Sequence, residues 1–283
     1  MKAAALPDWP LAEYSRHVRS RPHEWHLQQM GDGPDLLLLH GTGAATHSWR
    51  DLIPLLAAQF RVTAVDLPGH GFTRLGSRMR SSLPAMTDDL AALCRVEGIA
   101  PVGIVGHSAG AALGLRLVDA MGVGTQLIGI NPALHPFQGL AGLMFPAAAR
   151  MMAMTPGMVD MLTWNMAQPG RVISLLGGTG SKLSAHGMDL YARLFCNRAH
   201  VEGTLLMMAQ WKLDGLQADL PRVKTPCLFL TGSNDRMVPP VSAVEAAARM
   251  PDATVHSLEG YGHLVHEEAP DTVARLIAGF VRR

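Results

Sequence analysis

The sequence has few cysteines, no long apolar run and no excess of one charge sign. Its three cysteines, Cys94, Cys196 and Cys227, are far apart and form no CxxC spacing. This scattered, odd-numbered set argues against both a disulfide framework and a zinc site. The formal net charge of the 283 residues is +1, without a basic block or an acidic tail. Composition therefore gives no electrostatic reason to expect nucleic-acid binding.

Targeting and cofactor motifs are also missing. The N-terminal stretch MKAAALPDWP is broken at Pro7 and Asp8, so a signal-peptide core does not form. No segment reaches the ~18 consecutive apolar residues that a membrane-spanning helix needs. The 13 histidines show no metal-ligand spacing, and neither a phosphate loop nor a dinucleotide fingerprint is present. We therefore expect a soluble cytoplasmic protein with no cofactor, no resident metal and no transmembrane segment.

Apolar residues are abundant and are arranged in an alternating rhythm. They make up 48% of the chain against 17% charged residues, which is enough for one large core. Strand-length apolar runs alternate with helical segments, a pattern typical of an α/β fold with a mostly parallel sheet. The predicted strands are 24–30, 35–40, 61–67, 102–106, 126–130, 226–231 and 254–258. The predicted helices are 49–60, 83–97, 109–121, 241–250 and 270–281.

The rhythm stops between residues 132 and 210. Strand-like runs disappear there, and the segment holds ten of the 17 methionines. These are Met144, Met151, Met152, Met154, Met158, Met161, Met166, Met188, Met207 and Met208. We predict a helical cap at 132–210, inserted into an α/β core formed by 1–131 and 211–283.

One serine lies in the pattern of a nucleophile elbow. The apolar strand 102–105 runs directly into Gly106-His107-Ser108-Ala109-Gly110, and a predicted helix follows. This is G-x-S-x-G between a strand and a helix, a context in which a sharp turn exposes the serine hydroxyl. The two glycines leave room for strand and helix to approach closely. Ser108 is therefore the predicted nucleophile, and His107 is interpreted as packing support for the turn.

A glycine-rich turn follows the buried strand at 35–40. Its residues are His40-Gly41-Thr42-Gly43, and a tetrahedral intermediate needs two backbone N–H donors. We predict that Ala109 supplies one donor of this oxyanion hole and Thr42 the other, with Gly43 as the alternative to Thr42. A simple turn between strand and helix is the competing interpretation. His40 is interpreted as a structural histidine that holds the loop.

An acid and a base follow two late strands. Asp235 comes just after the strand at 226–231, where it can orient an imidazole. Asp252 and Asp271 occupy a turn and a helix start, which favours capping roles for both. His263 lies between a glycine-rich turn and a helix start and is the predicted base. Its rival, His266, is expected at the surface or facing the cap. The chain order serine, aspartate, histidine is the one that α/β-hydrolases use.

These motifs together resemble the α/β-hydrolase superfamily from Asp35 to the C-terminus. The motifs are HGTGAATHSW, DLPGHG, GHSAG, GSNDRMVP and GHLVHEEAP. The resemblance implies an α/β-hydrolase fold: a mostly parallel central sheet flanked by helices, with an inserted helical cap. Ser108, Asp235 and His263 all stand at the triad positions of the family. The DLPGHG loop, residues 66–71, is interpreted as structural.

A narrower resemblance covers nearly the whole chain. LLLLHGTGAATHSWRDL, DLPGHGFT and INPALHPFQGLAG, with DWPLAEYSRHV and EWHLQQMGDGP before them, are similar to one bacterial α/β-hydrolase group. That group is found with bacteriochlorophyll-biosynthesis genes and is described as a magnesium-chelatase accessory protein. The resemblance implies a role in photosynthesis through magnesium-tetrapyrrole synthesis. It implies no particular substrate.

Three functions remain open on these observations. The first is a serine hydrolase, esterase-like, that forms an acyl-enzyme on Ser108 and acts on an apolar ester or a tetrapyrrole. The second is a non-catalytic magnesium-chelatase accessory role, in which the fold binds a tetrapyrrole or a chelatase subunit. The third is C–C bond hydrolysis or cofactor-free haloperoxidase chemistry on the same triad.

The methionine-rich cap is open to several interpretations. Methionines adapt to bulky partners, so the cap suits a flat apolar ligand such as a porphyrin or its ester. Ordinary packing between cap helices explains the same composition. Residues 140–154 could also contact a membrane or a partner, although their glycines and proline argue against a long amphipathic helix.

Overall fold

An eight-stranded, mostly parallel sheet forms the centre of the molecule. The computed structural model describes residues 8–121, 124–136 and 139–281. The sheet has the order β1-β2-β4-β3-β5-β6-β7-β8. Strands β1 and β2 run antiparallel to their neighbours, and all other pairs are parallel. The strands are β1 (Ser15–Ser20), β2 (His23–Met30), β3 (Asp35–Leu39), β4 (Arg61–Val65), β5 (Gly103–His107), β6 (Gln126–Ile130), β7 (Cys227–Gly232) and β8 (Ala253–Leu258).

Helices cover both faces of this sheet, and the predicted α/β fold class is confirmed. The helices are α1 (Leu52–Ala57), α2 (Leu83–Glu97), α3 (Ala109–Met121), α4 (Gly139–Met154), α5 (Met158–Met166), α6 (Arg171–Gly177), α7 (Ala185–Phe195), α8 (Arg198–Gln210), α9 (Asp214–Asp219), α10 (Pro240–Ala247), α11 (Val265–Glu268) and α12 (Pro270–Val281). Among the described residues, none of these helices combines the length and apolarity required to cross a bilayer.

Strand β3 explains how the sheet divides the core. Successive side chains of a strand point to opposite faces, and DLLLL has apolar residues at every position after the first. Leu36 and Leu38 pack in the layer that contains α1 and α12. Leu37 and Leu39 pack in the opposite layer with α2 and α3. The continuous apolar run is therefore buried on both faces, as the sequence predicts.

The predicted strands and core helices agree with the structure to within a few residues, but the short helices α9 and α11 and one strand are not predicted. The segment Ser15–Ser20 forms edge strand β1, which the sequence analysis does not predict. Its residues SRHVRS include one large apolar side chain, and most of them are partly or fully exposed. An edge strand needs no apolar face of its own when its backbone pairs with a neighbour, here β2.

Helices α4 to α8 lie between β6 and β7, where the helical insertion is expected. Helices α4, α5 and α7 pack on α8, and α6 packs on α7. The segment forms helix α4 over 16 residues in spite of its glycines and Pro146, and the helix is apolar over most of its surface rather than strongly amphipathic. Its residues Ala149 and Ala153 are buried while Met151 and Met154 are exposed. The domain boundaries at 131/132 and 210/211 stay predictions.

Two sequence arguments fall on residues that the structure does not describe. The exclusion of a signal peptide rests on the first residues, of which 1–7 lie outside the described part. The motif INPALHPFQGLAG includes residues 137 and 138, which also lie outside it.

Five buried histidines make the stability of the fold sensitive to acid. They are His47, His70, His107, His200 and His266, and burial lowers the pKa of each side chain below its ordinary value. The unfolded chain therefore binds more protons than the native state below pH 6.5, and stability falls as pH falls. We expect the unfolding free energy to fall between pH 6.5 and 5.5, by at most about 1 kcal/mol for each histidine that stays neutral in the native state. Urea unfolding across this range measures it.

A pair of substitutions separates this effect from general acid sensitivity. His47→Leu removes a fully buried imidazole whose ring nitrogens have no hydrogen-bond partner within the described residues. It should reduce the pH slope of stability by about one proton. His186→Leu removes an exposed histidine and is the matched control. Equal slopes in all three proteins would contradict the linkage.

Candidate active site

Ser108 occupies a sharp turn between β5 and α3. Its φ of 51° lies in the left-handed region, which a non-glycine residue adopts only when its surroundings impose it. The Ser108 amide donates to the Ile130 carbonyl at 2.9 Å. The Ser108 carbonyl accepts from the amides of Ala111 and Ala133, each at 3.1 Å. The turn is thus held by β6 and its following loop, and it leaves Ser108 partly exposed.

Glycines permit the close contacts around this turn. A Cβ on Gly106 would collide with the Gly110 carbonyl oxygen, and a Cβ on Gly110 with the Leu39 carbonyl oxygen. A Cβ on Gly41 would lie 2.8 Å from His107 Nδ1 and 3.1 Å from Ser108 Cβ. Both distances are too short for unstrained packing. The loop after β3 therefore lies directly against the turn that carries Ser108.

The structure brings Asp235 and His263 together. His263 Nδ1 donates to Asp235 Oδ2 at 2.7 Å, and both residues are buried. The other carboxylate oxygen of Asp235 accepts from the amides of Met237 and Val238 at 2.8 and 2.9 Å. These donors hold the carboxylate in place, and the carboxylate in turn fixes the orientation of the imidazole. The proposed rivals Asp252 and Asp271 make no side-chain bond to His263 within the described residues.

Asn131 is a site residue that the sequence analysis missed. Its side-chain amide donates to Asp235 Oδ2 at 2.6 Å, beside the bond from His263. It follows β6 with a φ of 44°, a conformation that asparagine adopts more readily than most residues. An asparagine immediately after a strand that neighbours the elbow strand is the signal that sequence reasoning could have used.

His107 connects the serine turn to the histidine loop. Its Nε2 donates to the His263 carbonyl at 2.9 Å, and the two ring centroids are 4.7 Å apart. Within the described chain, Ser108 Oγ itself has no hydrogen bond. Nucleophile–base contacts often tighten only when substrate binds. The structure thus places Ser108 and His263 on adjacent loops, and their direct contact stays a prediction. The supporting role assigned to His107 agrees with its position.

The expectation that His266 lies at the surface was wrong. It was expected at the surface or facing the cap, but it is fully buried. His266 Nε2 pairs with Ser48 Oγ at 2.7 Å, and the same hydroxyl donates to Glu267 at 2.8 Å. Arg50 and Tyr191 also donate to Glu267. His266 therefore belongs to a buried polar network next to the loop that carries His263. Helix α11 directs its side chain into the protein interior.

The predicted oxyanion donors lie on the two loops that meet at Ser108. Ala109 begins α3 and is buried, whereas Thr42 is exposed. Neither backbone amide has a hydrogen-bond partner among the described residues. Their roles, and Gly43 as the alternative to Thr42, stay predictions. His40 holds the loop as predicted: its Nδ1 donates to the Gly41 carbonyl at 2.7 Å, and its Nε2 accepts from the Leu67 amide at 2.9 Å.

His200, on cap helix α8, is a second residue that the sequence analysis missed. Its Nε2 donates to the Gly43 carbonyl at 3.1 Å, and its Nδ1 accepts from the Gly71 amide at 3.0 Å. The two backbone partners define the tautomer, and burial lowers the pKa of His200 to about 4. A neutral His200 therefore ties α8 to the loop that carries Thr42. Nothing in its local sequence signals this role.

The cap methionines are divided between the surface and the core. Met144, Met151, Met154 and Met161 are exposed, while Met207 is buried and accepts a long hydrogen bond from Thr42 Oγ1 at 3.7 Å. A methionine-lined tetrapyrrole pocket in the cap stays a prediction. Within the described residues, no three His, Cys, Asp or Glu side chains converge as metal ligands would.

Comparison with known proteins identifies relatives of the whole chain. Residues 36–276 match the model of the alpha/beta hydrolase family. The magnesium-chelatase 30 kDa subunit of Rhodobacter capsulatus is 41% identical over 280 residues, which cover 98% of each chain. The pimeloyl-[acyl-carrier protein] methyl ester esterase of Stenotrophomonas maltophilia is 29% identical over 276 residues, covering 90% of this chain and 96% of the esterase.

Solved structures agree with the fold. The crystal structure of an alpha/beta hydrolase fold protein from Burkholderia ambifaria superposes with a TM-score of 0.78 at 22% identity. It covers 94% of this chain and 97% of that one. At this level of identity the likeness concerns the fold alone.

The contacts of His200 predict a positioning role. In His200→Gln, the Gly43 carbonyl loses a rigid donor, so the Thr42 amide should be less well oriented toward Ser108. We expect kcat for p-nitrophenyl acetate to fall about 10- to 100-fold, less than for removal of a whole oxyanion donor, with KM changed little. Steady-state kinetics at pH 7.5 measure both constants.

Tyr191→Phe is the matched control for this prediction. It removes one buried cap hydrogen bond, to Glu267, without touching the loop at residues 41–43. Its kcat should remain within about twofold of wild type. If both variants lose the same activity in proportion to their loss of thermal stability, His200 serves packing only.

Proposed function

This chain belongs to the alpha/beta hydrolase family, and on that premise we propose that it is a serine hydrolase that cleaves an ester or related acyl bond. The observation that carries the proposal is the buried Asp235–His263 pair at 2.7 Å, next to a serine held at φ 51°. A neutral imidazole whose Nδ1 proton is fixed on a carboxylate exposes Nε2 as a base. In the proposed mechanism, the strained turn presents the Ser108 hydroxyl toward this base.

The proposed reaction has two half-reactions. His263 Nε2 takes the Ser108 hydroxyl proton as Ser108 Oγ attacks the acyl carbon, and it returns that proton to the departing alkoxide. Asp235 stabilises the imidazolium that forms in between. Water then attacks the acyl-Ser108 ester, His263 takes the proton of the water, and the serine hydroxyl is restored as the acid leaves.

The amides of Thr42 and Ala109 are the proposed donors to the tetrahedral oxyanion. Both lack an internal partner among the described residues, and their loops are brought together at Gly41. Amides that are held in place before the reaction lower its barrier because they need no reorganisation as charge develops. Ala109 also begins helix α3, whose N-terminal dipole favours negative charge.

The substrate we propose is an apolar ester associated with magnesium-tetrapyrrole synthesis. Support comes from the relative in Rhodobacter capsulatus, which is named as a magnesium-chelatase subunit, and from the relatives named as methyl ester esterases. Magnesium would enter the site as part of the ligand. The proposed division of labour places catalysis in the core, residues 1–131 and 211–283, and substrate selection in the cap at 132–210. A cytoplasmic location fits this role.

Covalent labelling tests the nucleophile directly. A fluorophosphonate should add one adduct to the wild-type protein, read by intact mass, and should add none to Ser108→Ala. His263→Asn should label at least about 1000-fold more slowly, because the base is missing. Ser174→Ala, which alters an exposed serine on α6 whose hydroxyl makes no hydrogen bond among the described residues, is the control and should label at the wild-type rate. Folded wild-type protein that remains unlabelled would overturn the proposed chemistry.

A second function is favoured by one observation, the 41% identity over 98% of both chains to a protein named as a magnesium-chelatase subunit. We propose as the alternative that the chain assists the chelatase by binding a tetrapyrrole or a chelatase subunit. This role needs no acyl-enzyme.

Absorbance titration distinguishes the two functions. If the accessory role is correct, protoporphyrin IX should show a saturable Soret shift with wild-type protein and with Ser108→Ala alike. If the hydrolase role is correct, porphyrin methyl esters should be turned over by wild type and only bound by Ser108→Ala. The absence of any shift with porphyrin or its esters would exclude tetrapyrroles as ligands under either proposal.

A further inference from the structure

The outer face of the cap carries an apolar surface that the proposed chemistry does not use. Seven large apolar residues on α4, α5 and α6 are each between 48% and 66% exposed. They are Met144, Met151, Met154, Met161, Trp164, Ile173 and Leu175. Elsewhere in the described chain, exposed large apolar residues are spread over several separate elements. A concentrated patch of this kind marks an interaction surface.

The three helices form one continuous face. Helix α4 packs against α5, and α5 against α6. Their opposite sides are buried: Ala149, Ala153 and Val159 pack with α8, and Val172 and Leu176 pack in a cluster with α7. Each helix is therefore amphipathic with respect to the body of the protein. The outward apolar residues are not required for the cap to fold onto the core.

The charges on the same segment have one dominant sign. Residues 139–177, which form α4, α5, α6 and the turns between them, contain Arg150 and Arg171, both exposed, and one carboxylate, Asp160. Arg198 of α8 donates to Asp160 at 2.8 Å and neutralises it. Neither of these two arginines forms an ion pair among the described residues. The whole chain, by contrast, carries a net charge of only +1.

We propose that the outer face of α4, α5 and α6 binds peripherally to an anionic lipid membrane. An apolar face that includes an exposed tryptophan and is flanked by arginines is typical of helices that lie in the membrane interface. The apolar side chains enter the boundary between headgroups and acyl chains, and Arg150 and Arg171 contact anionic headgroups.

Trp164 supplies an intrinsic probe of this docking. Of the five tryptophans, Trp9, Trp25 and Trp49 are buried and Trp211 is partly buried, which leaves Trp164 as the exposed one. Vesicles containing phosphatidylglycerol and phosphatidylcholine should shift its emission to shorter wavelength, and brominated acyl chains should quench it. Trp164→Phe should lose most of this signal while the protein still sediments with the vesicles.

Substitutions on and off the face test whether it is the binding surface. Met151→Glu with Ile173→Glu should weaken binding to anionic vesicles about 100-fold, since two apolar anchors are lost and two repelled charges are added. The matched control is Val96→Glu with Val241→Glu, which alters two exposed valines on α2 and α10. It should weaken binding to anionic vesicles less, because it adds two negative charges but removes no apolar residue from the face. Circular dichroism and thermal unfolding establish that both double variants are folded.

The cationic contribution is tested separately. Arg150→Gln with Arg171→Gln should weaken binding to anionic vesicles about 25-fold, at roughly fivefold for each cation, and leave binding to phosphatidylcholine vesicles unchanged. Ser108→Ala should bind like wild type, so this result is independent of the proposed hydrolysis. Wild-type protein that does not sediment with anionic vesicles, or equal losses in the face variant and its control, would overturn the proposal. If the wild-type protein does not sediment with anionic vesicles, a protein partner becomes the remaining candidate for this face.

Discussion

A single buried carboxylate, Asp66, fastens the loops that surround the candidate site. It accepts hydrogen bonds from the Thr46 and Phe72 amides and from His26 Nδ1, all at 2.7–2.8 Å. Burial by itself raises the pKa of such a carboxyl, but the imidazole and the amides outweigh burial and hold the pKa of Asp66 below its ordinary value. The loops after β3 and β4 are therefore joined through one ion. Neither loop can move without leaving a buried charge unsatisfied, which is costly.

The cap adds a second constraint to the same loops. Gly203 of α8 approaches Gly69 so closely that a Cβ on Gly69 would lie 2.8 Å from the Gly203 Cα. Next to this contact, His200 bonds the Gly43 carbonyl and the Gly71 amide. The inner side of the cap is thus tied to the backbone of the core. Its outer side carries apolar and cationic residues that make no such contacts with the core. The inner side of the insertion therefore holds the loops in place, and the outer side is free to bind another surface.

Local sequence patterns predicted the structure correctly where residues close together in the sequence determine it. The run DLLLLH forms a strand buried on both faces because no polar residue interrupts it. The glycines of GHSAG are required by contacts with residues four or five positions away, or with the end of the adjacent strand β3. Strand β1 was missed because its pairing comes from β2 rather than from its own residues. The length of helix α4 was not expected. Its glycines and Pro146 disfavour a long helix, and the packing on α8 that compensates for them cannot be read from the segment itself.

The sequence alone determined the α/β class, the strand order along the chain, the elbow at Ser108 and the candidates Asp235 and His263. Each of these follows from the spacing of apolar, glycine and polar residues within a short window. Only the tertiary structure decided that Asn131 bonds Asp235, that His200 reaches the loop at Gly43, and that His266 is buried. These contacts join residues far apart in the chain. Which residues meet in these contacts depends on how the helices and strands pack after folding. The periodicity of one segment gives no information about which other element will pack against that segment.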